Sequence, residues 1–438
     1  MAIGVGLLGL GTVGAGVAAI LASPEGRHPL VRELALRRVA VRDPARPRPV
    51  AVDPALICAD PQAVVDDPAV EIVVEVMGGL EPARSLILRA IAAGKPVVTA
   101  NKAVIARHGE EIAAAAAERG VYVLIEAAVG GGIPIIEPLK QSLGGNRLQR
   151  VSGIINGTTN YILSRMADEG ADYGAVLADA QRLGYAEADP AADVEGHDAA
   201  DKIAILASLA FGCPVPRAAI ATEGIDRLEA RDVTYATQLG YVVKLLAVAE
   251  RLDGLEGAEA GEGLPLDVRV HPTLLPRQHP LAGVHGVNNA ILVEGDPVGQ
   301  VMFFGPGAGA GPTASAVVAD ILNIAGIRQV GGDGTGLDPL LSAGSWRRCS
   351  LVDGSLSRHR NYVRLRTRDE AGVIGKIGTA FGAAGVSIQS IVQYEANSGD
   401  AEIVVITHDV VEADFRRALA AIDALSEVET VAACLRTL

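Results

Sequence analysis

A glycine run near the amino terminus constrains the fold of this chain more than any other feature. Residues 9–14 are GLGTVG, and they follow an apolar stretch at 3–8 that predicts a buried strand. A helical segment comes directly after them. In this setting Gly9 allows a tight turn, Gly11 lets a pyrophosphate approach the backbone, and Gly14 lets the helix pack closely on the strand. The run therefore predicts a dinucleotide-binding strand–turn–helix, and a merely structural glycine turn is the alternative.

Charge and hydropathy argue against several classes of protein. The chain has 438 residues and a net charge of −14, a balance that disfavours nucleic acid and anionic membranes as partners. The span from Ala2 to Ser23 carries no charge and is long enough to cross a bilayer. Its repeated glycines argue against a membrane helix, and the lack of a preceding Lys or Arg argues against a signal peptide. Four scattered cysteines without CxxC spacing are typical of a reduced, cytoplasmic protein.

Strands and helices alternate through the first part of the chain. This alternation predicts a parallel, doubly wound α/β sheet. After Gly130 the pattern changes to an α+β arrangement. The later strands of the parallel sheet are predicted at 38–41, 70–76, 96–99 and 121–125, and the helices of the chain at 13–22, 83–93, 110–118, 172–183, 198–211 and 313–324.

The end of the chain has a pattern of its own. Beyond a glycine-rich stretch, the predicted order is strand, helix, strand, strand, helix, strand, which makes a small ferredoxin-like unit. An acidic, glycine-rich hairpin loop is expected at 254–263. The predicted division is a NAD(P)-binding Rossmann domain at 1–130 that is completed by about 305–325, a substrate-binding and dimerisation domain at 131–304, a linker at 326–360 and a regulatory domain at 361–438.

The residues after the second strand bear on the choice between NAD and NADP. NAD enzymes usually place an acidic residue there to bond the ribose hydroxyls, whereas an arginine can receive a 2′-phosphate. The predicted strand ends in Arg42 followed by Asp43, and Arg46 and Arg48 add positive charge nearby. This favours NADP. In the alternative, Asp43 binds the ribose and Arg42 points into solvent.

Two segments carry candidate catalytic groups. Lys102 lies just after a strand of the parallel sheet, at the edge where such folds bind ligands, although a surface lysine is the commoner outcome. Asp198 and Lys202 lie four residues apart and share one face of a helix whose following residues are apolar. A carboxylate there suits a substrate ammonium group, and a lysine there can donate a proton to a carbonyl oxygen. A solvated salt bridge is the alternative, and His197 is a second candidate acid.

Two further glycine-rich segments predict unusual backbone geometry. Glu126 precedes three successive glycines at 130–132, and bent backbone carbonyls with one carboxylate suit a hard cation. A hinge into the second domain explains the same glycines. The segment 305–313 opens a helix, so it either closes over the cofactor through backbone donors or connects two domains.

Together these segments resemble homoserine dehydrogenase over about residues 3–325. The carboxyl-terminal unit resembles an ACT domain, the small ligand-binding module of the longer, bacterial-type enzymes. The matching strings run in order along the chain: GLGTVG (9–14), EVMGG (75–79), TANKA (99–103), EAAVGGGIPII (126–136), NGTTNYIL (156–163), GYAEADPAADVEGHDAADK (184–202), HPTLLP (271–276) and GPGAGAGPTA (305–314).

The resemblance implies a reaction and the residues that perform it. The reaction is the interconversion of L-aspartate 4-semialdehyde and L-homoserine with NADP or NAD, within threonine, methionine and isoleucine biosynthesis. Glu187 and Asp198 look like the residues that bind the amino acid. Lys202 matches the proposed proton donor and Lys102 the family's other active-site lysine, so either one is a candidate for the proton transfer.

The resemblance also implies a cofactor site and a cation site. A monovalent cation such as Na⁺ is expected at Glu126 and the carbonyls of Val129, Gly131 and Ile133. The residues expected to hold the dinucleotide are Gly9, Leu10, Gly11, Thr12, Val13, Gly14, Arg42, Lys102 and Gly309.

The ACT-like unit departs from its usual pattern in the first turn. That turn usually carries Pro before Gly, whereas here Ala371 precedes Gly372. Ala371 loosens the turn, but Gly372 keeps the position whose backbone N–H typically contacts an effector. Because Gly372 is present, we expect threonine to inhibit the enzyme through this unit. We also expect a homodimer or homotetramer, because the sheets of the middle domain and of ACT units commonly pair between chains.

Two rival hypotheses differ from this interpretation. One is another Rossmann oxidoreductase of an amino acid, such as an aspartate dehydrogenase, and the 184–202 string argues against it. The other is a non-catalytic, NADP-sensing regulator that responds through its ACT unit. Two candidate active-site lysines with clustered carboxylates argue against that second hypothesis.

Overall fold

The structure is a computed structural model that describes residues 2–252, 263–329, 349–395 and 400–438. Most of the loop predicted at 254–263 and most of the predicted linker lie outside the described residues.

The amino-terminal part contains a sheet of six parallel strands with the order β3-β2-β1-β4-β5-β6. This is the strand order of a dinucleotide-binding Rossmann fold, so the predicted doubly wound sheet is confirmed. The strands are β1 (Ile3–Leu8), β2 (Leu34–Ala40), β3 (Ile57–Cys58), β4 (Ile72–Glu75), β5 (Val97–Thr99) and β6 (Val123–Leu124). The helices are α1 (Thr12–Ala22), α2 (Pro61–Asp66), α3 (Ala83–Ala92) and α4 (Lys102–Arg119).

Helix α4 begins earlier than predicted. The sequence pattern placed its start at residue 110, but the side chain of Asn101 accepts a hydrogen bond from the backbone N–H of Val104 and caps a helix that starts at Lys102. Lys102 is therefore the first residue of a helix at the carboxyl edge of the sheet. A side chain at that position is fixed by the helix rather than by a loop.

The middle part is an α+β arrangement around an antiparallel sheet with the order β12-β11-β7-β9-β10. The strands are β7 (Arg147–Ile154), β8 (Ala221–Thr222), β9 (Tyr241–Arg251), β10 (Leu264–Pro276), β11 (Asn288–Asp296) and β12 (Gly299–Pro306). The helices are α5 (Gly157–Glu169), α6 (Tyr173–Arg182), α7 (Ala191–Val194), α8 (His197–Phe211), α9 (Ala230–Gln238) and α10 (Ala310–Gln329).

Helix α10 returns the chain to the amino-terminal part. It packs on α1, and its Val317 and Ile321 share a hydrophobic core with Val17 of α1 and Leu7 of β1. By length and composition, Ala310–Arg328 is the one helix among the described residues that could cross a membrane, and half of it is buried inside the fold. That burial is typical of a core helix.

The carboxyl-terminal part has the predicted order βαββαβ, with the sheet order β18-β14-β16-β15. Both helices pack their apolar faces on this sheet through a core that includes Ile377, Phe381 and Phe415. The elements are β13 (Cys349–Leu351), β14 (Arg358–Arg368), α11 (Val373–Ala383), β15 (Ile388–Glu395), β16 (Asp400–Thr407), β17 (Val410–Val411), α12 (Glu412–Asp423) and β18 (Val428–Thr437).

The carboxyl-terminal sheet is continuous with the middle sheet. Strand β18 runs parallel to the end of β10, where Thr273 pairs with Arg436 and Leu274 with Thr437. Residues 349–351, which were predicted to be linker, instead form β13 and pair with the start of β10. The carboxyl-terminal unit is thus attached to the middle part by strand pairing at two places along one strand.

Candidate active site

The glycine turn has the geometry that an anion-binding turn requires. Gly9 has a φ of +107°, and a Cβ there would lie 2.8 Å from the carbonyl oxygen of Val76. A Cβ on Gly14 would overlap the carbonyl oxygen of Gly9. At Gly11, by contrast, no described heavy atom lies within 4 Å of the Cβ position, and no side chain in the described part of the chain caps the start of α1. The open space and the free N–H groups fit a pyrophosphate.

Three glycine-rich segments that are distant in sequence meet beside this turn. A Cβ on Gly16 of α1 would lie 2.5 Å from the carbonyl oxygen of Ala310, and one on Gly131 would overlap that of Gly307. The N–H of Gly132 donates to Pro306 at 3.1 Å. The segment 305–313 therefore packs between α1 and the 130–132 loop. This is the segment for which a loop closing over the cofactor and a connector between domains were the two predictions. It carries Gly309, with a φ of +122°, to the start of α10.

The arginines after β2 differ in their surroundings. The strand ends at Ala40, and Arg42 is exposed beyond it. The carboxylate of Asp43 accepts a hydrogen bond from the N–H of Ala45 at 2.9 Å, so it is occupied in a local turn. Arg48 donates to the carbonyls of Asp43, at 2.7 Å, and Leu10, at 3.3 Å. Arg48 was predicted only to add charge nearby, yet it is the arginine that contacts the glycine turn.

Two hydrogen bonds at the ends of β4 and β5 position Lys102. Glu75 at the end of β4 is fully buried, and its carboxylate accepts a hydrogen bond from the hydroxyl of Thr99 at 2.6 Å. The side-chain amide of Asn101 donates to the carbonyl of Gly79 at 2.7 Å while its oxygen caps α4. The EVMGG and TANKA strings are thus bonded to each other at the carboxyl edge of the sheet.

The predicted catalytic groups meet around one carboxylate. Lys102 from the amino-terminal part lies with its Nζ 2.7 Å from Oδ1 of Asp198. Lys202 lies with its Nζ 2.6 Å from Oδ2 of the same carboxylate and donates to the carbonyl of Ile155 at 2.7 Å. The side chains of Asp198 and Lys202 are 8% and 11% exposed, so the pair is buried and the alternative of a solvated salt bridge is wrong.

The two lysines determine the charge state of this carboxylate. Burial alone would raise the pKa of Asp198, but the charges of Lys202 and Lys102 outweigh it and hold that pKa well below its ordinary value. Burial also opposes the ammonium form of Lys102, yet the carboxylate of Asp198 outweighs it and raises the pKa of that lysine. At neutral pH, Asp198 is therefore an anion and Lys102 a cation.

Three residues of the hydrogen-bond network around Asp198 were not among the predicted site residues, namely Asn156, Thr158 and Asp193. Asn156 donates through Nδ2 to Asp198 at 3.0 Å and to Asp193 at 2.7 Å. Thr158 places its hydroxyl 3.1 Å from the other oxygen of Asp193. All three stand in the NGTTNYIL and 184–202 strings, which was the one signal in the sequence that could have found them.

Two predicted candidates lie away from this cluster. Glu187 is exposed in the segment between α6 and α7, and its carboxylate makes no hydrogen bond or ion pair with the part of the chain that the structure describes. His197 has a side chain that is 55% exposed, and its Nε2 lies 3.2 Å from Oε2 of Glu195. In the described part of the chain it makes no hydrogen bond or ion pair with Asp198 or either lysine. The structure therefore does not join either side chain to the buried carboxylate.

The predicted cation site contains buried oxygen atoms that no donor of the described residues reaches. The buried carboxylate of Glu126 accepts three backbone N–H groups, at 2.6 to 2.9 Å, and burial nevertheless raises its pKa. Within the described residues no donor reaches the buried carbonyls of Val129, Gly131 and Ile133. Beside them, Oδ1 of the fully buried Asp320 has no described partner. Unpaired buried oxygens fit a hard cation.

The fold and this site define a class of protein. A Rossmann sheet with an open glycine turn binds a nicotinamide dinucleotide, and ammonium groups at the carboxyl edge can protonate the oxygen of a carbonyl that is being reduced. The class is therefore that of the NAD(P)-dependent oxidoreductases.

Comparison with known proteins identifies the family within this class. The model of the family described as "Homoserine dehydrogenase" matches residues 134–322, and that described as "Homoserine dehydrogenase, NAD binding domain" matches residues 9–126. An ACT domain model matches residues 361–427. The chain is 57% identical to a homoserine dehydrogenase of Synechocystis over 438 residues, which is 100% of both chains. The chain belongs to the homoserine dehydrogenase family, as the sequence predicted.

Solved structures agree with this assignment. A homoserine dehydrogenase from Thiobacillus denitrificans superimposes with a TM-score of 0.90 at 42% identity, over 100% of this chain and 98% of that one. A hyperthermophilic archaeal homoserine dehydrogenase in complex with NADPH covers 74% of this chain and 98% of its own, with a TM-score of 0.60 at 27% identity. The predicted α/β fold class and the predicted enzyme class are confirmed.

Proposed function

We propose that this enzyme interconverts L-aspartate 4-semialdehyde and L-homoserine in the biosynthesis of threonine, methionine and isoleucine. The observation that carries the proposal is the buried carboxylate of Asp198, held between Lys102 and Lys202 from two parts of the fold. When bound, the reduced nicotinamide supplies the hydride that converts the aldehyde carbon to an alcohol carbon. The chain then has to orient the substrate and deliver one proton.

Lys202 is the proposed proton donor. Two of its N–H groups are directed at Asp198 and at the carbonyl of Ile155, so the third has a defined direction. Lys102, which is 39% exposed, is proposed to attract the substrate carboxylate. Glu187 and Asp198 are proposed to bind the substrate ammonium group. A positioned proton donor contributes a factor of about 10²–10⁴ to the rate, and orientation supplies much of the rest.

NADP is the proposed cofactor. Arg42 is exposed beyond β2, Arg48 contacts the glycine turn, and Asp43 uses one of its carboxylate oxygens in a local turn. The archaeal relative in complex with NADPH is consistent with this choice. The predicted residues of the glycine turn, with Gly309, would hold the dinucleotide, and Glu126 with its neighbouring carbonyls would hold a monovalent cation.

We further propose a cytoplasmic homo-oligomer, divided into domains as the sequence predicts, in which the ACT unit binds threonine. Strand β12 is an edge of its sheet, and its outward-facing Met302 and Phe304 are 42% and 56% exposed. Exposed apolar side chains on an unpaired edge favour pairing with a second copy. Gly372 is the N-cap residue of α11, and its backbone N–H is the proposed contact with the effector.

Initial rates test the reaction, the cofactor and the regulation together. We expect reduction of NADP by homoserine, slower reduction of NAD, inhibition by threonine, and no reaction with aspartate. Lys202→Ala and Lys102→Ala should each lose most of the turnover, whereas Lys376→Met, which removes an exposed lysine of α11, should not. Full turnover in Lys202→Ala would refute its role as proton donor, and reaction with aspartate alone would favour the rival oxidoreductase.

A further inference from the structure

The amino-terminal end of α5 contacts several charged groups of the site. Its preceding residue, Ile155, accepts a hydrogen bond from Lys202 through its carbonyl oxygen. The next residue, Asn156, donates to both Asp193 and Asp198. The start of one helix thus contacts a proposed proton donor and two carboxylates of the site.

The side-chain amide of Asn156 has one allowed orientation. Its Oδ1 accepts hydrogen bonds from the N–H of Thr159, at 2.9 Å, and from the Thr159 hydroxyl, at 3.0 Å. Its Nδ2 faces two carboxylates, which accept hydrogen bonds but do not donate them when ionised. A flipped amide would place a carbonyl oxygen against two anions and an NH₂ group against a backbone N–H. The side chain is 5% exposed, so water cannot rescue the flipped form.

The carboxylate of Asp198 needs such a contact to stay in one orientation. The terminal torsion of an aspartate is broad, and a free carboxylate rotates easily. In the structure Asn156 and Lys202 both bond Oδ2, at 3.0 and 2.6 Å, while Lys102 bonds Oδ1 at 2.7 Å. Two donors on one oxygen and one on the other assign each lysine its own oxygen atom.

We infer that Asn156 is a positioning residue for catalysis, which holds the Asp198 carboxylate so that one oxygen faces each of the two active-site lysines. The inference rests on the proposed function. Asn156 acts through Asp198 and is not proposed to touch the substrate. Its neutral amide also separates the negative charges of Asp193 and Asp198, which an acidic residue in its place would instead reinforce.

The charges around Lys102 make the inference testable through pH. Asp198, Asp193 and Asp201 all favour its ammonium form. When Asp198 is free to rotate, its electrostatic stabilisation of the Lys102 ammonium group weakens, so Lys102 should lose its proton at lower pH. The charged groups that face this cluster from the packed elements α4, α7, α8 and the segment after α8 are Lys102, Arg107, Asp193, Asp198, Asp201, Lys202 and Arg217.

Two variants separate positioning from helix capping. In Asn156→Ser the hydroxyl still caps α5, because serine is a favoured N-cap residue, but both bonds to carboxylates are lost. In Asn156→Asp the cap acceptor remains and a negative charge replaces the donor. Asp172→Ser is the matched control, because Asp172 caps α6 through the N–H of Gly174 and makes no contact with Asp198 or the lysines.

The experiment measures kcat and KM for reduction of aspartate semialdehyde by NADPH across pH, with NADPH binding followed by fluorescence. Loss of charge-assisted hydrogen bonds predicts that kcat falls about ten- to a hundredfold in Asn156→Ser. The pH at which kcat falls on the basic side of the profile (the basic limb), where the Lys102 ammonium group contributes, should move lower in Asn156→Ser and higher in Asn156→Asp. NADPH binding and the activity of Asp172→Ser should stay unchanged.

Three outcomes overturn the inference. They are an unchanged kcat in Asn156→Ser, a lower kcat with basic limbs that do not move apart in the two variants, or an equal loss in Asp172→Ser. The last would mean that only helix stability matters. Because wild-type enzyme is measured in parallel, failure of the proposed function is distinguishable: it would appear as wild-type protein that binds NADPH without reducing aspartate semialdehyde.

Discussion

A buried ionic cluster joins the ACT unit to the middle domain, and removing its central cation should loosen that attachment. Arg364 of β14 is fully buried and donates to both carboxylate oxygens of Asp232 on α9, at 2.7 and 3.1 Å. It also bonds Glu402 of β16 and pairs with Glu229 at the start of α9, each at 3.0 Å. One guanidinium therefore compensates three carboxylates from two parts of the fold.

The contacts that remain in Arg364→Met determine how much free energy of unfolding the variant loses. Glu402 would keep its contacts with Arg231, at 3.0 Å, and the hydroxyl of Tyr235, at 2.5 Å. Asp232 is fully buried and would keep only neutral donors among the described residues, so its charge is the one left uncompensated. Removing one partner of a buried pair costs about 3–5 kcal/mol. Glu229 would keep its ion pair with Arg366, at 3.2 Å. Since methionine fills part of the volume and two of the three carboxylates stay paired, we expect about 3–4 kcal/mol.

Hydrogen exchange and urea unfolding measure this loss. In Arg364→Met the amides of β14 and α9 should exchange faster, and unfolding of the ACT unit should precede that of the rest. Adding Asp232→Asn should recover part of the loss, because it removes the uncompensated charge. Arg358→Met on the same strand is the control, since its ion pair with Asp409 is exposed. If Arg364→Met and Arg358→Met unfold alike, the reasoning is refuted.

Three further predictions concern other parts of the enzyme. Gly11→Ala should fold normally but bind NADP weakly, because its Cβ enters open space where the pyrophosphate is expected. Gly14→Ala should also lower the melting temperature, because its Cβ overlaps a backbone carbonyl. Thermal unfolding with and without NADP checks both variants. Burial lowers the pKa of Lys244 to about 8 from 10.5, so the unfolded chain binds more protons between these values and stability should rise as pH increases through them. Lys244→Met should remove that rise in urea-unfolding curves. Arg42→Glu should raise KM for NADP more than for NAD, and equal changes for both cofactors would contradict a 2′-phosphate contact.

Local patterns in the sequence were sufficient for the two outer parts of the fold. A strand, a glycine turn and a helix within residues 3–22 predict a Rossmann unit, because each step is determined by neighbouring residues. The βαββαβ order was predicted for the same reason. The middle sheet was not predicted in detail, because its pairings join distant residues. Nothing local in Cys349–Leu351 indicates that it pairs with the start of β10.

The candidate site was predictable where its residues share one element. Asp198 and Lys202 lie on one helical turn, so their contact followed from spacing alone. The contact between Lys102 and Asp198 depends on how two parts of the fold pack, and only the family resemblance placed these residues in one site. Asn156 has the sequence signature of a helix cap, which conceals its second role at the carboxylates.

Arg364 shows why the contact between the ACT unit and the middle domain was not predicted. It belongs to the alternating strand NYVRLRT, in which polar positions normally face solvent. Here that face of the sheet packs on α9, where Tyr235 also stacks on Tyr394 with ring centroids 4.1 Å apart. A charged residue at a period of two predicts an exposed face, and only tertiary packing converts that face into a buried interface. The side chain's three acidic partners come from segments that no local pattern connects to it.

Helices α9 and α5 pack on each other and connect the ACT unit to the site by contiguous packing. Helix α9 bonds the ACT unit through Asp232, and its Val233 and Ala236 share a core with Ile162 of α5. Helix α5 is 13 residues long, so it spans about 20 Å as a rigid rod, with the Asn156 cap at its start. If the ACT unit has two positions, an effector shifts the equilibrium between them only by as much as its binding free energy differs between the two. Because the buried ion pairs allow little sliding between β14 and α9, a displaced ACT unit would have to move α9 with it or break the Arg364 cluster.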